Sequence, residues 1–244
     1  MVMDVSPSEI LPKQLFASLG SLEFLRPFFP NDILPWEWIG NIAKALDSLK
    51  IPECTGDVSM RNHVASHVFI HPTATIGPFA TILGPAHIGA HTEIRPGAFV
   101  RENCIVGERC VIGNGCEIKN VLAFDGTKIA HFNYVGDSIL GNDSHLGAGA
   151  ILSNLRFDEL EVVFRLRKAK YPTHLRKFGA ILGDNAQIGC NGVLQPGTIL
   201  GRGAVVYPGV VFGGYLPPMS MERSSAKPLD ISRNSSGAGG QSRV

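Results

Sequence analysis

Aliphatic residues recur at every sixth position along most of this chain. All nine sixth positions from 70 to 118 hold Ile or Val, and the spacing returns at 140–152 and 182–212. Within each run, the place four residues after an aliphatic one lies before the next aliphatic position, and a bulky residue is absent from all fifteen such places. A six-residue repeat predicts a β-helix, in which each unit is a short strand plus a corner and stacking buries the inward side chains. The aliphatic positions of the first run are Ile70, Ile76, Ile82, Ile88, Ile94, Val100, Val106, Ile112 and Ile118.

The rest of the chain has no six-residue repeat. Pro35 suits the first turn of a helix, and five apolar residues from Trp38 to Leu49 follow at helical spacing. We therefore expect a mainly β protein with a helical cap or arm at 1–52, a linker at 53–69 and a β-helix at 70–215. Residues 216–244 are polar and rich in Ser and Gly, which predicts a disordered tail.

The repeat is interrupted between Ile118 and Leu140. We expect a β-helix to lose an inward residue only where a loop leaves the stack or a functional site intervenes. This segment contains Lys119, His131 and Tyr134. It is therefore the first candidate for an active site.

A second interruption, at 155–181, predicts a projecting hairpin loop. Residues 161–168 alternate like a strand, and Tyr171-Pro172 is expected to turn it. Its basic residues are Arg165, Arg167, Lys168, Lys170, Arg176 and Lys177. The loop is either a solvated arm or a lid or wall for an anionic substrate.

Composition excludes several other functions. A net charge of +1 gives no bulk attraction to nucleic acid or acidic membranes. The sequence contains no apolar stretch of 18 residues that would predict a membrane span, and its start does not resemble a signal peptide. A cytoplasmic location is therefore expected. Of the five Cys, three occupy inward small positions, which favours core packing over metal binding. The pair His87 and His91 is one residue short of the zinc-binding spacing in γ-class carbonic anhydrases, and no metal is predicted.

Five segments carry a resemblance to a known family. They begin at Ile94 (IRPGA), Glu117 (EIK), Lys128 (KIAHFNYVGDS), Leu146 (LGAGAILSN) and Lys177 (KFGAILGD). In this order they resemble the C-terminal acetyltransferase domain of GlmU, which makes UDP-N-acetylglucosamine, and related sugar-phosphate acetyltransferases. The resemblance implies a left-handed parallel β-helix, a homotrimer with sites between subunits, and acetyl-CoA as co-substrate. It implies N-acetylation of an amino-sugar phosphate, glucosamine 1-phosphate giving N-acetylglucosamine 1-phosphate.

The resemblance also assigns roles to single residues. His131 corresponds to the general base. Substrate contacts correspond to Arg95, Lys119, Tyr134, His145 and Lys177, and coenzyme contacts to Ala148, Asn154, Cys190 and Pro208. Two features depart from the family: His145 replaces the usual Asn, and the C-terminal coenzyme-binding segment is not recognisable. The uridylyltransferase half of the two-domain relatives is absent as well, so a separate nucleotidyltransferase is an expected partner.

The expected chemistry is direct attack of a neutral amine on the thioester. Imidazole titrates near neutrality, so a His can accept the amine proton. Backbone N–H groups at 147–149 would stabilise the oxyanion. A different reading stays open, in which a catalytically silent β-helix binds a nucleotide sugar or scaffolds a separate nucleotidyltransferase. A related acyltransferase acting on another amino sugar is a third.

Overall fold

The computed structural model describes residues 8–51 and 62–223. Its main body is a parallel β-helix with three faces, as the repeat predicts. Each short strand pairs with the strand three repeat units further along, for example Val68 with Ala86 and Thr75 with Glu93. One coil therefore contains three six-residue units, and the predicted fold class is confirmed.

Eight strand segments line each face of the described β-helix. The first face contains β2 (Val68–Ile70), β5 (Ala86–Ile88), β8 (Cys104–Val106), the second halves of β10 (Glu117–Ala123) and β12 (Tyr134–Leu140), β17 (Ala180–Leu182), β20 (Thr198–Leu200) and β23 (Tyr215–Leu216). The second face contains β3 (Thr75–Ile76), β6 (Glu93–Ile94), β9 (Val111–Asn114), β11 (Lys128–His131), β13 (His145–Leu146), β18 (Gln187–Ile188), β21 (Val205–Val206) and β24 (Met221–Glu222). The third face contains β1 (His63–Val64), β4 (Thr81–Ile82), β7 (Phe99–Val100), the first halves of β10 and β12, β14 (Ile151–Leu152), β19 (Val193–Leu194) and β22 (Val211–Phe212).

The interruption after Ile118 is not a break in the β-helix. Ile118 pairs with Val135, and Val135 pairs with Leu152, each one residue sooner than three full repeat units would give. The inward positions continue without a gap, and each of these two coils is one residue shorter than a coil of three full repeat units. The expectation that a loop or site displaces the core here is wrong. The inward residues from this stretch are Ile118, Ala123, Ile129, Val135, Leu140, Leu146 and Leu152, all buried.

The β-helix also extends past its predicted limits. Strand β1 begins at His63, and β23 and β24 continue the last coil to Glu222. The rest of the predicted linker and tail, residues 53–61 and 224–244, lies outside the described residues.

Cysteines fill inward positions of three successive rungs. Cys104, Cys110 and Cys116 are buried in the solenoid core with the aliphatic residues. Burial raises the pKa of Cys104 and Cys110 to about 12. These thiols act as small apolar groups, as the repeat predicts.

The N-terminal segment covers the first face. It contains 3-10 helices at Ser8–Ile10 and Gly20–Phe28, α1 (Pro12–Leu15) and α2 (Glu37–Ser48). Their apolar residues form a second core with the outward side chains of the first face. Asp184, at a corner of the β-helix, fixes this segment by accepting the N–H of Ala17 at 2.6 Å. The outward residues covered in this way are Ile105, Leu122, Ile139, Ile181 and Ile199.

The loop at 155–181 contains an antiparallel hairpin of β15 (Val163–Leu166) and β16 (Ala169–Pro172). Its turn is at Arg167 and Lys168, so the predicted turn at Tyr171-Pro172 is wrong: both residues belong to the second strand. The hairpin does not project freely. Phe164 packs on Trp36 at a ring distance of 5.4 Å, which joins the hairpin to the N-terminal segment.

Candidate functional site

Four predicted site residues lie in one column along a single corner. This corner joins the second and third faces, and we call it the His131 corner. His131 ends β11, and the next three coils place Ala148, Cys190 and Pro208 at the same position. Backbone hydrogen bonds connect the column coil by coil: the N–H groups of Gly149, Asn191 and Gly209 donate to the carbonyls of His131, Ala148 and Cys190 at 3.0, 2.8 and 2.8 Å.

The backbone of His131 is held while its ring is free. Its N–H donates to Oδ1 of Asn133 at 3.0 Å. Asn133 is 2% exposed, and its Nδ2 donates to the carbonyl of Gly147 in the next coil at 2.7 Å. The imidazole of His131 is exposed, and among the described residues it has no hydrogen-bond partner. Asn133 therefore fixes the corner and leaves the ring available to a ligand. The six-residue repeat gives no sign of this role of Asn133.

A backbone N–H without an acceptor lies one coil from His131. The N–H groups of Gly147 and Gly149 donate to the carbonyls of Ile188 and His131. In the described part of the chain, the N–H of Ala148 has no acceptor. Neighbouring coils are about 4.8 Å apart. An imidazole and a free backbone donor thus lie in neighbouring coils, an arrangement that suits attack of an amine on a carbonyl.

Arg95 extends the same corner towards the N-terminus. Ile94 pairs with Ile112, and Ile112 pairs with Ile129, so Arg95 lies two coils before His131. In its own coil, Arg95 is one residue before the position that corresponds to His131. Its guanidinium lies 3.2 Å from Glu93 and is partly exposed. The order along the corner is therefore a cation, then the imidazole, then the free N–H of Ala148.

Three other predicted residues meet at the opposite edge of the third face. Lys119 pairs with Gly136, and Tyr134 lies across Gly136, where an added Cβ would come 2.7 Å from the Tyr134 hydroxyl. Asn154 Nδ2 donates to that hydroxyl at 3.2 Å. Burial is the main reason why the pKa of Tyr134 is raised. We call the corner between the third and first faces, which holds Asn154, the Asn154 corner.

A buried carboxylate lies behind these residues. Asp137 is 5% exposed, and it accepts hydrogen bonds from Asn120 at 2.9 Å and from Asn154 at 2.5 Å. Neither Asp137 nor its partner Asn120 is indicated by the six-residue repeat. Their signal is the equal spacing of 120, 137 and 154, which is the length of the shortened coil.

His145 and Lys177 stand apart from both groups. His145 is exposed on the second face between Lys128 and Gln187, at the strand start rather than at the corner. Lys177 is exposed at the point where the loop rejoins the β-helix. Its backbone forms an isolated antiparallel β-bridge with Leu155. Arg176, one six-residue step before Leu182, is exposed and is therefore not an inward position.

The two groups of site residues flank the third face of one protomer. The His131 corner and the Asn154 corner are its two edges, about five extended residues or ~16 Å apart. One copy of the chain therefore does not bring all the predicted residues together.

A cavity of about 580 Å³ opens on the third face beside the loop. Its walls include Leu155, Phe157, Val193 and Val211, with Arg165 at the rim. It lies on the C-terminal side of Asn154 and does not contain His131. It is separate from the column described above.

In the described ranges, no three His, Cys, Asp or Glu side chains stand close enough to hold a metal ion. None of the helices in those ranges has the length and apolar character needed to cross a membrane.

Comparison with known proteins gives matches over the β-helix. A family model described as the GMPPB C-terminal domain matches residues 82–200. A bifunctional sugar-1-phosphate nucleotidylyltransferase/acetyltransferase of Sulfurisphaera tokodaii is 36% identical over 177 residues, covering 72% of this chain and 44% of that protein. The chain is a homologue of GlmU-type proteins. The bifunctional protein GlmU of Methanococcus vannielii is 34% identical over 138 residues, which is 57% of this chain and 27% of that protein.

The chain thus spans less than half the length of these GlmU-type relatives. Among solved structures, a hexapeptide transferase family protein from Anaplasma phagocytophilum has 23% identity and a TM-score of 0.33, with 64% of this chain and 75% of that chain covered. That likeness is too low to add to the argument from the strands.

Proposed function

We propose that the chain is an acetyl-CoA-dependent N-acetyltransferase acting on an amino-sugar phosphate, with glucosamine 1-phosphate as the acceptor and His131 as the general base. The observation that carries the proposal is the column at the His131 corner. An exposed imidazole stands one coil from a backbone N–H without an acceptor. The Sulfurisphaera tokodaii relative is described as an acetyltransferase as well as a nucleotidylyltransferase, which supports the same reaction class.

The proposed reaction uses the two neighbouring groups together. The amine nitrogen attacks the thioester carbon, and its proton passes to the imidazole of His131. The carbonyl oxygen becomes an oxyanion and is stabilised by the N–H of Ala148. Collapse of the intermediate breaks the carbon–sulfur bond, and the coenzyme A thiolate takes up a proton. No covalent enzyme intermediate is required, so Cys190 acts as a contact rather than as a nucleophile.

The column also suggests where each substrate lies. Arg95, two coils before His131, would hold the phosphate of the acceptor. Cys190 and Pro208, in the two coils after Ala148, would border the coenzyme. Lys119, Tyr134 and Asn154 would complete the acceptor site from a second copy of the chain, because they lie on the other edge of the third face. Asn154 would therefore contact the acceptor, whereas the resemblance implies a coenzyme contact for it. We therefore propose a homotrimer with shared sites.

The experiment that tests this function is thiol release from acetyl-CoA. The acceptor panel contains amino sugars, their 1-phosphates and UDP-linked amino sugars. We expect the highest kcat/KM with glucosamine 1-phosphate. Binding of a nucleotide sugar without any thiol release would instead support the catalytically silent alternative. Preference for an unphosphorylated or UDP-linked amine would identify a different amino-sugar acyltransferase.

A further inference from the structure

The hydrogen bonds around Asp137 determine which atoms of Tyr134 and Asn154 face outward. An ionised carboxylate only accepts hydrogen bonds, so the group of Asn154 that faces Asp137 must be its NH₂. One N–H of Asn154 meets Asp137 Oδ2 at 2.5 Å, and the other meets the Tyr134 hydroxyl oxygen at 3.2 Å. Both hydrogens of the amide are used.

Two complementary groups remain unused at this edge. The Oδ1 of Asn154 is left as an acceptor, and the Tyr134 hydroxyl, which accepts from Asn154, keeps its own hydrogen to donate. Among the described residues neither has a partner within the protein. The edge therefore presents one acceptor and one donor next to each other.

The backbone holds this arrangement in place. Asp137 has a φ of +47°, a conformation that Asn and Asp adopt more readily than most residues. Its carbonyl accepts the N–H of Gly179 at 2.9 Å, and the carbonyl of Asn154 accepts the N–H of Phe178 at 2.9 Å. The chain thus leaves the coil at Asn154 and returns beside Asp137. Asp137 is the one charged group behind the amide in the described contacts.

We propose that Asp137 is a positioning residue that sets the hydrogen-bonding polarity of this edge, with Asn154 as acceptor and Tyr134 as donor. The inference rests on the proposed function. It predicts the chemistry of the ligand: an amine N–H facing Asn154 Oδ1, and a hydroxyl or phosphate oxygen facing the Tyr134 hydroxyl. An amino-sugar phosphate carries both groups. Replacing the carboxylate with an amide allows the Asn154 side chain to turn over and present NH₂ instead, which would repel the substrate amine.

The test compares Asp137→Asn with Asn120→Gly. Asparagine fits the left-handed backbone of residue 137 and keeps the side-chain volume. The control removes the other hydrogen bond of Asp137, and glycine fits the φ of +50° at residue 120. We expect Asp137→Asn to lower kcat/KM for the amine acceptor by roughly tenfold, the worth of one misplaced hydrogen bond. The KM for acetyl-CoA should not change, and Asn120→Gly should keep near-normal acceptor kinetics.

A second measurement does not depend on activity. The side-chain amide protons of Asn154, observed by ¹⁵N NMR in the full chain, should exchange slowly in the wild type and in Asn120→Gly and faster in Asp137→Asn. Unchanged acceptor kinetics and amide exchange in Asp137→Asn would overturn the inference, and so would equal losses in both variants. If the wild type shows the protected amide but acetylates no amino sugar, the proposed function fails while the role of Asp137 in orienting Asn154 stands.

Discussion

His131 combines a fixed backbone with an unbound side chain. Asn133 holds its N–H, and the register of β11 with β9 fixes its position at the corner. The candidate base can therefore be changed without emptying the core, because the inward residue of that rung is Ile129. This separation allows chemistry and stability to be tested independently.

Replacing His131 with alanine should lower turnover by about 10²–10⁴-fold, the usual contribution of a general base. Acetyl-CoA binding should stay near normal, because the imidazole acts on the amine. The loss should shrink as pH rises, since more of the acceptor amine is then already neutral. Steady-state kinetics across a pH series, with calorimetric binding of the coenzyme, measure both effects.

His145→Ala is the matched control for that experiment. His145 is an exposed imidazole in the following coil, but it lies on the second face away from the corner. We expect it to retain activity. Full activity in His131→Ala together with loss in His145→Ala would show that the base has been assigned to the wrong histidine.

The cations near the site should distinguish phosphorylated from unphosphorylated acceptors. Arg95→Gln or Lys119→Gln should weaken the use of glucosamine 1-phosphate more than that of glucosamine. A charge-assisted hydrogen bond contributes roughly 1.5–3 kcal/mol, or about tenfold to a hundredfold. The comparison of kcat/KM for the two acceptors measures it, and Lys168→Gln, on the exposed hairpin turn, is the control. Equal losses with both acceptors would mean that these residues do not contact a phosphate.

The strands could be predicted from the sequence wherever a coil consists of three full repeat units. Two successive coils are each one residue shorter, so Ala123 and Ile129 no longer fall on the six-residue count although both are buried. Counted in steps of six residues, the sequence therefore loses its repeat here, although the inward positions continue. The same shift concealed Asp137, whose partners are visible only when positions one shortened coil apart are compared.

The candidate site was less predictable than the strands. His131, Ala148, Cys190 and Pro208 came from the resemblance, and their alignment in one column depends on which residue of each coil reaches the corner. The role of the hairpin depends on tertiary packing of Phe164 against Trp36, for which the alternation of residues 161–168 gives no signal.

The accessibility of the cysteines gives a test of the coenzyme column. Cys104 and Cys110 are buried with pKa values raised to about 12, so they remain protonated and unreactive at pH 8. Cys190 is exposed. In a Cys54→Ser background, a thiol reagent should modify Cys190 first, and acetyl-CoA should slow that modification. Labelling of Cys190 at the same rate with saturating acetyl-CoA would place the coenzyme elsewhere.

At the scale of the whole molecule, the described residues cover one face of the β-helix and leave part of the third face exposed. The N-terminal segment and the hairpin cover the first face. Val211 has an exposed apolar side chain on the third face, which lies between the two groups of site residues. A second copy packed here would bring the His131 corner of one copy towards the Asn154 corner of the other.

Subunit complementation tests the central claim, a shared acetyltransferase site, most directly. His131→Ala and the double variant Tyr134→Ala with Asn154→Ala should each be inactive alone. In mixed assemblies, an interface with both intact edges forms by chance about one time in four, so thiol release should recover to about a quarter of wild type. Mixing His131→Ala with Arg95→Ala is the control, because both changes damage the same corner and neither copy supplies it intact. Recovery confined to the first mixture is the predicted result, whereas mixed assemblies without recovery, or an active monomer, would contradict the account.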